Sequence, residues 1–248
     1  MHKKIYCESL VIEVGRMCNL CCSHCLRGER EDKTVDTKLV KKFLRKEVDA
    51  IGSITFTGGE PTLYEKEIIQ IIDYIIKLEI PCESFYIASN GLVKAPKLMA
   101  KLAEFYAYTL RYSYSREENY SQFELSNDEF HEDVPEENKQ FFQAFVFYSE
   151  RTYKGWDDSW IPEGRAYLSG LGGGREVNKE KAFYVDDFDD DVLRVEMVYF
   201  NAEGFLLPDC DYSYESQREM EPFAYGSMPL EKILITYNQV NNATEEVA

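Results

Sequence analysis

Four cysteines fall within eight positions, Cys18-Asn19-Leu20-Cys21-Cys22-Ser23-His24-Cys25. Nothing else in the chain restricts its fold and chemistry as tightly. Taken as one set, Cys18, Cys22 and Cys25 are separated by three residues and then two. A short loop with that spacing can wrap around a small object, and soft thiolates suit iron–sulfur clusters or zinc. A structural zinc site needs four ligands, as does an all-cysteine cluster. Three thiolates therefore leave one coordination position open. Adding Cys21 gives the other reading, a four-cysteine zinc or electron-transfer site. Adjacent cysteines ligate one small ion only with strain, which makes Cys21 a packed or spare thiol.

At 248 residues the chain fits one large domain, or one domain with a small appendage. No apolar run is long enough for a membrane span, and the acidic residues Glu8 and Glu13 follow the basic start too soon for a signal peptide. A cytoplasmic location is expected. There, seven cysteines read as metal ligands and free thiols rather than a disulfide framework. The net charge of −17 argues against a nucleic-acid backbone as partner. It favours small molecules, or peptides and proteins with basic segments.

Strands and loops alternate from the N-terminus. Glu8 to Val14 is a β-branched strand running into the cysteine loop. Lys33 to Val48 has a helical apolar stripe, and Ser53 to Phe56 is a second strand. It is followed by Thr57-Gly58-Gly59-Glu60-Pro61, where glycines admit a ligand close to the backbone and Glu60 adds a carboxylate. Carbonyls and that carboxylate could take an ammonium group; the same residues would also serve a plain β-to-α turn. Glu65 to Leu78 is a helix, Phe85 to Ala88 a third strand ending in Ser89-Asn90-Gly91, and Ala95 to Phe105 a further helix. Tyr108 to Ser113 reads as the fourth strand, Phe141 to Tyr148 as the fifth and Leu193 to Phe200 as the sixth. Glu117 to Glu137 and the acidic run Asp186 to Asp191 read as loops. Gly170 to Arg175 lacks the lysine of a phosphate-binding loop and reads as flexible. Asn201 to Phe205 is a hairpin turn, and Pro229 to Val240 a closing helix before a polar tail, Asn241 to Ala248. Serial β-α units build a parallel sheet or barrel, with ligands at the C-terminal strand ends.

The cysteine spacing, with Asn19 and Leu20 after the first cysteine, resembles the radical S-adenosylmethionine (radical SAM) superfamily. The Gly58-Gly59-Glu60-Pro61 turn resembles that superfamily's second motif. The resemblance implies an α/β fold, a partial (β/α)6 TIM-like barrel over residues 1–200. A short C-terminal extension, 201–248, would carry the hairpin and helix. It implies that Cys18, Cys22 and Cys25 ligate a [4Fe–4S] cluster whose fourth iron binds S-adenosylmethionine. Gly58, Gly59, Glu60 and Pro61 would then hold the methionine end. Ser89, Asn90, Ser113 (with Ser115 as second choice) and Arg165 of Pro162-Glu163-Gly164-Arg165-Ala166 would complete the cofactor site. The family's chemistry is cleavage to a 5′-deoxyadenosyl radical that abstracts hydrogen, with flavodoxin or ferredoxin as reductant. The Gly164-Arg165-Ala166 segment and the hairpin before Cys210 are similar to peptide-modifying members of the SPASM type. No cysteine follows Cys210, which speaks against an auxiliary cluster, and Cys7 and Cys82 are left without a role. A peptide or protein substrate follows from that likeness. A glycyl-radical-enzyme activase, a small-molecule or nucleoside enzyme, and a non-enzymatic zinc module remain as alternatives. No hydrolytic triad or carboxylate pair stands out, and the histidines and tryptophans suggest no separate constellation.

Overall fold

The computed structural model describes residues 3–113, 119–151, 160–171, 177, 182–189 and 192–235. Five strands and four helices alternate first: β1 (Lys4–Gly15), α1 (Thr37–Glu47), β2 (Val48–Gly58), α2 (Glu65–Lys77), β3 (Cys82–Ser89), α3 (Pro96–Thr109), β4 (Gln122–Ser126), α4 (Glu136–Gln143) and β5 (Tyr148–Arg151). After them come α5 (Gly164–Leu168), β6 (Val185–Asp189), β7 (Val192–Phe200), β8 (Phe205–Leu207), α6 (Tyr214–Glu219) and β9 (Phe223–Ala224), and residues 230–235 are helical. All the strands join one sheet ordered β5-β4-β3-β2-β1-β7-β8-β9, with β6 on β7. β5, β4, β3, β2, β1 and β7 run parallel; β6 and β8 run antiparallel to β7, and β9 antiparallel to β8. This is an α/β partial barrel, and its sheet does not close. The sixth parallel strand, β7, lies beside β1 rather than beside β5.

Local sequence accounts for the first half. Asp36 caps α1 by accepting from Lys38 N at 2.9 Å, and Arg45 and Lys46 sit in its last turn. Pro96 opens α3, where an amide would have no helical partner. The strands bury Ile12, Ile54, Phe56, Phe85, Ile87 and Phe123 against Phe43, Ile68, Ile72, Leu98 and Phe105 of the helices. Each such side chain contributes roughly 1.5–3 kcal/mol of burial.

Four segments differ from the sequence reading. Residues 108–113 do not form the fourth strand. Helix α3 runs on to Thr109, because Phe105 and Tyr108 share its buried face and the Tyr108 hydroxyl donates to Ile80 O at 2.7 Å. The fourth strand is β4, inside the stretch read as an acidic loop, where Phe123 and Leu125 alternate inward. Of the aromatic run read as the fifth strand, residues 141–143 end α4, which stacks Phe142 on Phe123 with centroids 4.9 Å apart, residues 144–147 turn the chain, and β5 begins only at Tyr148. The acidic run contributes residues 186–189 to β6 rather than a loop. Ser115, residues 172–175 of the glycine-rich stretch, Asp190 and Asp191, the closing helix beyond residue 235 and the polar tail lie outside the described residues. Among the described residues, no helix is long and apolar enough to cross a membrane.

Candidate functional site

Register brings the strand ends together. Gly15 of β1 pairs with Gly58 of β2, Phe56 with Ile87 of β3, and Ser89 of β3 with Leu125 of β4. The cysteine loop, the Gly-Gly turn, Asn90 and Ser126 therefore emerge on one rim. They line a cavity of about 420 Å³.

The cysteine loop is held at its backbone. Cys25 N donates to Cys22 O at 3.3 Å, and Leu20 N to the Cys18 sulfur at 3.4 Å. Cys18, Cys22 and Cys25 line the cavity, whereas Cys21 is exposed and is not part of its lining. Burial, more than the neighbouring Cys18 and Cys25, pushes the Cys22 thiol up to about 11; burial also raises Cys18. Three thiolates in a partly buried wall would repel one another, so their deprotonation calls for a positive centre to bind them.

Next to the loop, Gly59 N donates to Gly15 O at 2.9 Å and Glu60 N to Met17 O at 3.0 Å. Gly58 has φ of +151°, and an added Cβ would stand 2.1 Å from Gly15 O, so this position requires glycine. Glu60 is buried, and its carboxylate gathers the rim. Oε1 accepts from Thr62 N at 3.0 Å, Thr62 Oγ1 at 2.6 Å and Ser89 Oγ at 2.8 Å; Oε2 accepts from Asn90 N at 2.9 Å. Asn90 Nδ2 reaches Asn19 Oδ1 at 2.7 Å, which ties the third loop to the cysteine loop.

Gly58, Gly59, Glu60, Pro61, Ser89, Asn90 and Arg165 all reach the cavity wall together with the three cysteines. Ser113 does not. It follows α3 away from the cavity lining, with Oγ buried and without a hydrogen-bond partner among the described residues. Ser126, at the end of the true fourth strand, lines the cavity instead.

The model of the radical SAM superfamily matches residues 12–114, which include the cysteine loop and the Gly-Gly turn. An uncharacterized protein of Methanocaldococcus jannaschii, MJ0907, is 32% identical over 100 residues, spanning 39% of this chain and 35% of that protein. Streptococcus suis SuiB bound to precursor peptide SuiA is similar at 14% identity and a TM-score of 0.49, covering 92% of this chain and 65% of SuiB. Native anSMEcpe with bound AdoMet and Cp18Cys peptide is similar at 13% identity and a TM-score of 0.46, covering 94% of this chain and 84% of that one. The chain thus spans about a third of the curated relative and just under two thirds of SuiB. Likeness at this level assigns neither a reaction nor a substrate.

Enzymes of the radical SAM superfamily hold a [4Fe–4S] cluster on three cysteines, and the donor set fits that group. One ion with four thiolates at about 2.3 Å needs sulfurs less than about 4 Å apart. Among the described residues, the cysteines form no group of three donors within 4.8 Å of one another. A cluster accepts wider spacing, and the exposed Cys21 withdraws the fourth thiol that zinc would need.

A brace holds the radical SAM segment from outside its own boundaries. Arg165 N donates to Cys25 O at 2.9 Å, and Arg165 Nε to Cys22 O at 2.9 Å. Its guanidinium therefore grips the cysteine loop's carbonyls, with Glu29 3.7 Å away, while the residue still lines the cavity. Gly164 sits against the same loop, where a Cβ would stand 2.4 Å from Gly28 N. Arg27 donates from Nη1 to the carbonyls of Cys210 and Tyr212, both at 2.7 Å, and Tyr214 N returns to Arg27 O at 3.1 Å. Arg16, fully buried, meets Glu13 at 2.5 Å, Glu31 at 2.9 Å and Gln217 Oε1 at 2.9 Å. Glu163 accepts from Ser213 N and Ser216 Oγ. These contacts join residues up to 201 positions apart, so no local pattern announces them.

His24, Asp128, His131 and Trp160 also line the cavity. The imidazole of His24 packs on Phe130, His131 and Trp160 with centroids 4.6–4.9 Å apart. Burial first, and then His131, pushes His24 down to about 4. The sequence had suggested no such grouping, since its members come from three separate segments.

Proposed function

We propose that the chain is a radical SAM enzyme, with a peptide or protein as substrate. The observation that carries the first part is the sharing of one cavity by Cys18, Cys22, Cys25 and the Gly58–Pro61 turn, with Cys21 outside it. The three cysteines ligate a [4Fe–4S] cluster. When bound, cluster and S-adenosylmethionine together supply the 5′-deoxyadenosyl radical that takes hydrogen from a substrate.

The protein's own residues bind, orient and exclude. The Gly58–Gly59 backbone lets the methionine end approach the rim. Glu60 works mainly as a tie, for three of its four hydrogen bonds to Thr62, Ser89 and Asn90 fall on Oε1; Oε2 keeps acceptor capacity toward an ammonium group. Ser89 and Asn90 are oriented by that same carboxylate. Ser126 takes the place of Ser113 at the end of the fourth strand, and Arg165 holds the cluster loop rather than the cofactor. An external flavodoxin or ferredoxin delivers the electron.

For a peptide substrate, the support is the Pro162–Ala166 segment's resemblance to peptide-modifying members and the net charge of −17, which suits a basic partner. The test is anaerobic reconstitution with iron and sulfide, followed by reduction with dithionite and S-adenosylmethionine. Wild type should release 5′-deoxyadenosine and methionine. Undiminished release by Cys18→Ala would overturn the assignment.

A further inference from the structure

The geometry points to a second metal site in the cavity wall, built by His24, Asp128 and His131 for a divalent first-row transition ion. One ligand atom from each residue lies within 4.8 Å of the other two. Two imidazoles and one carboxylate are the donor set that suits ferrous iron or zinc, and three protein ligands leave coordination positions open. Those positions face the cavity, where a heteroatom of a substrate could fill them. This site stands apart from the cysteines in donor chemistry, being nitrogen and oxygen rather than sulfur.

The side chains are already near ligating positions. Around an ion with bonds near 2.1 Å, neighbouring donors stand roughly 3 Å apart. His131 Nδ1 and Asp128 Oδ1 are 2.7 Å apart. The Asp128 side chain is only 2% exposed and that of His131 13%. A carboxylate so buried needs compensation. Oδ1 also accepts from Phe130 N at 3.0 Å, while Oδ2 has no partner among the described residues. His24 supplies the independent sign: its Nδ1 is buried with no hydrogen-bond partner among the described residues. Phe130 and Trp160 pack on that ring and fix its plane. Three arginines share the wall, and all are engaged, Arg27 by the carbonyls of Cys210 and Tyr212. Arg151 pairs with Glu124 and the Tyr86 hydroxyl, and Arg165 holds backbone carbonyls of the cysteine loop.

Two titrations of the full chain test this site, and neither depends on cleavage of S-adenosylmethionine. In Cys18→Ser/Cys22→Ser/Cys25→Ser, anaerobic cobalt should bind at one ion per chain. Its spectrum should show weak visible d–d bands without intense near-ultraviolet sulfur-to-cobalt charge transfer. In wild type reconstituted with iron and sulfide, zinc counted after gel filtration should reach one per chain, at unchanged iron content. His131→Gln and Asp128→Asn should each weaken binding more than about ten-fold in both experiments. Absence of bound cobalt and zinc, a thiolate-type cobalt spectrum, or equal affinity in both variants would overturn the proposal.

Discussion

The two halves of the molecule hold their parts in opposite ways. From β1 to β4 each unit is local: a strand, a rim loop and a helix, with apolar side chains from neighbouring units filling one core. From α5 onward, β7 joins the same sheet and core, but the shorter elements around it reach the rim through distant polar contacts. Arg27 reaches the carbonyls of Cys210 and Tyr212, and Arg16 reaches Gln217, inside the protein. The first half supplies most of the groups that line the cavity; the second half, with the residues leading into it, adds Trp160, Ile161 and Arg165 and keeps the cysteine loop in place. A site assembled from loops is only as well ordered as the structure that restrains those loops, and here the restraint comes from outside the radical SAM segment itself.

Variants in the two halves should therefore fail differently. Phe56→Ala, in the strand core, removes a fully buried ring and should lower stability by about 3–5 kcal/mol, read as a shift of the denaturation midpoint. The folded fraction should still take up iron. Arg27→Met leaves two carbonyls unpaired, at roughly 1–3 kcal/mol each, a comparable loss of stability. Its larger signature should be faster loss of iron to a chelator after reconstitution; retention at the wild-type rate would remove the brace from the account. Glu60→Gln weakens charge-assisted bonds to Thr62, Ser89 and Asn90 and should cost about 1.5–3 kcal/mol. Binding of S-adenosylmethionine, followed calorimetrically, should fall more than iron content does. The smallest effect belongs to Ser113→Ala, within about 0.5 kcal/mol and without change in ligand binding, since its hydroxyl has no partner. Ser126→Ala, by contrast, should weaken ligand binding while leaving stability alone. Equal behaviour of the two serines would dissolve the distinction between the predicted and observed fourth strand.

The same division governs what could be read from the residues alone. Cys18 to Cys25, Gly58 to Pro61 and Ser89-Asn90 are contiguous strings flanked by strong period-two and helical patterns, so their places on one rim were legible. β4 was not: five residues with two inward apolar positions are a faint signal within an acidic stretch. Tyr108 and Phe142 carry aromatic rings that favour strands, yet both bury on helices because Phe105 and Phe123 stand ready to receive them. Ser126 was lost with its strand. Asp128 and His131 gain meaning only when the turn after β4 meets His24 of the cysteine loop. The contacts of Arg16 and Arg27 span more than 180 positions, a separation over which spacing carries no information.

Iron and sulfide counted in single cysteine variants, each reconstituted anaerobically under identical conditions, test the central claim most directly. The account predicts a full [4Fe–4S] complement in wild type and in Cys21→Ala, and a lost or labile cluster in Cys18→Ala, Cys22→Ala and Cys25→Ala. A cluster that needs Cys21, or one that forms equally well without any member of the triad, would contradict it.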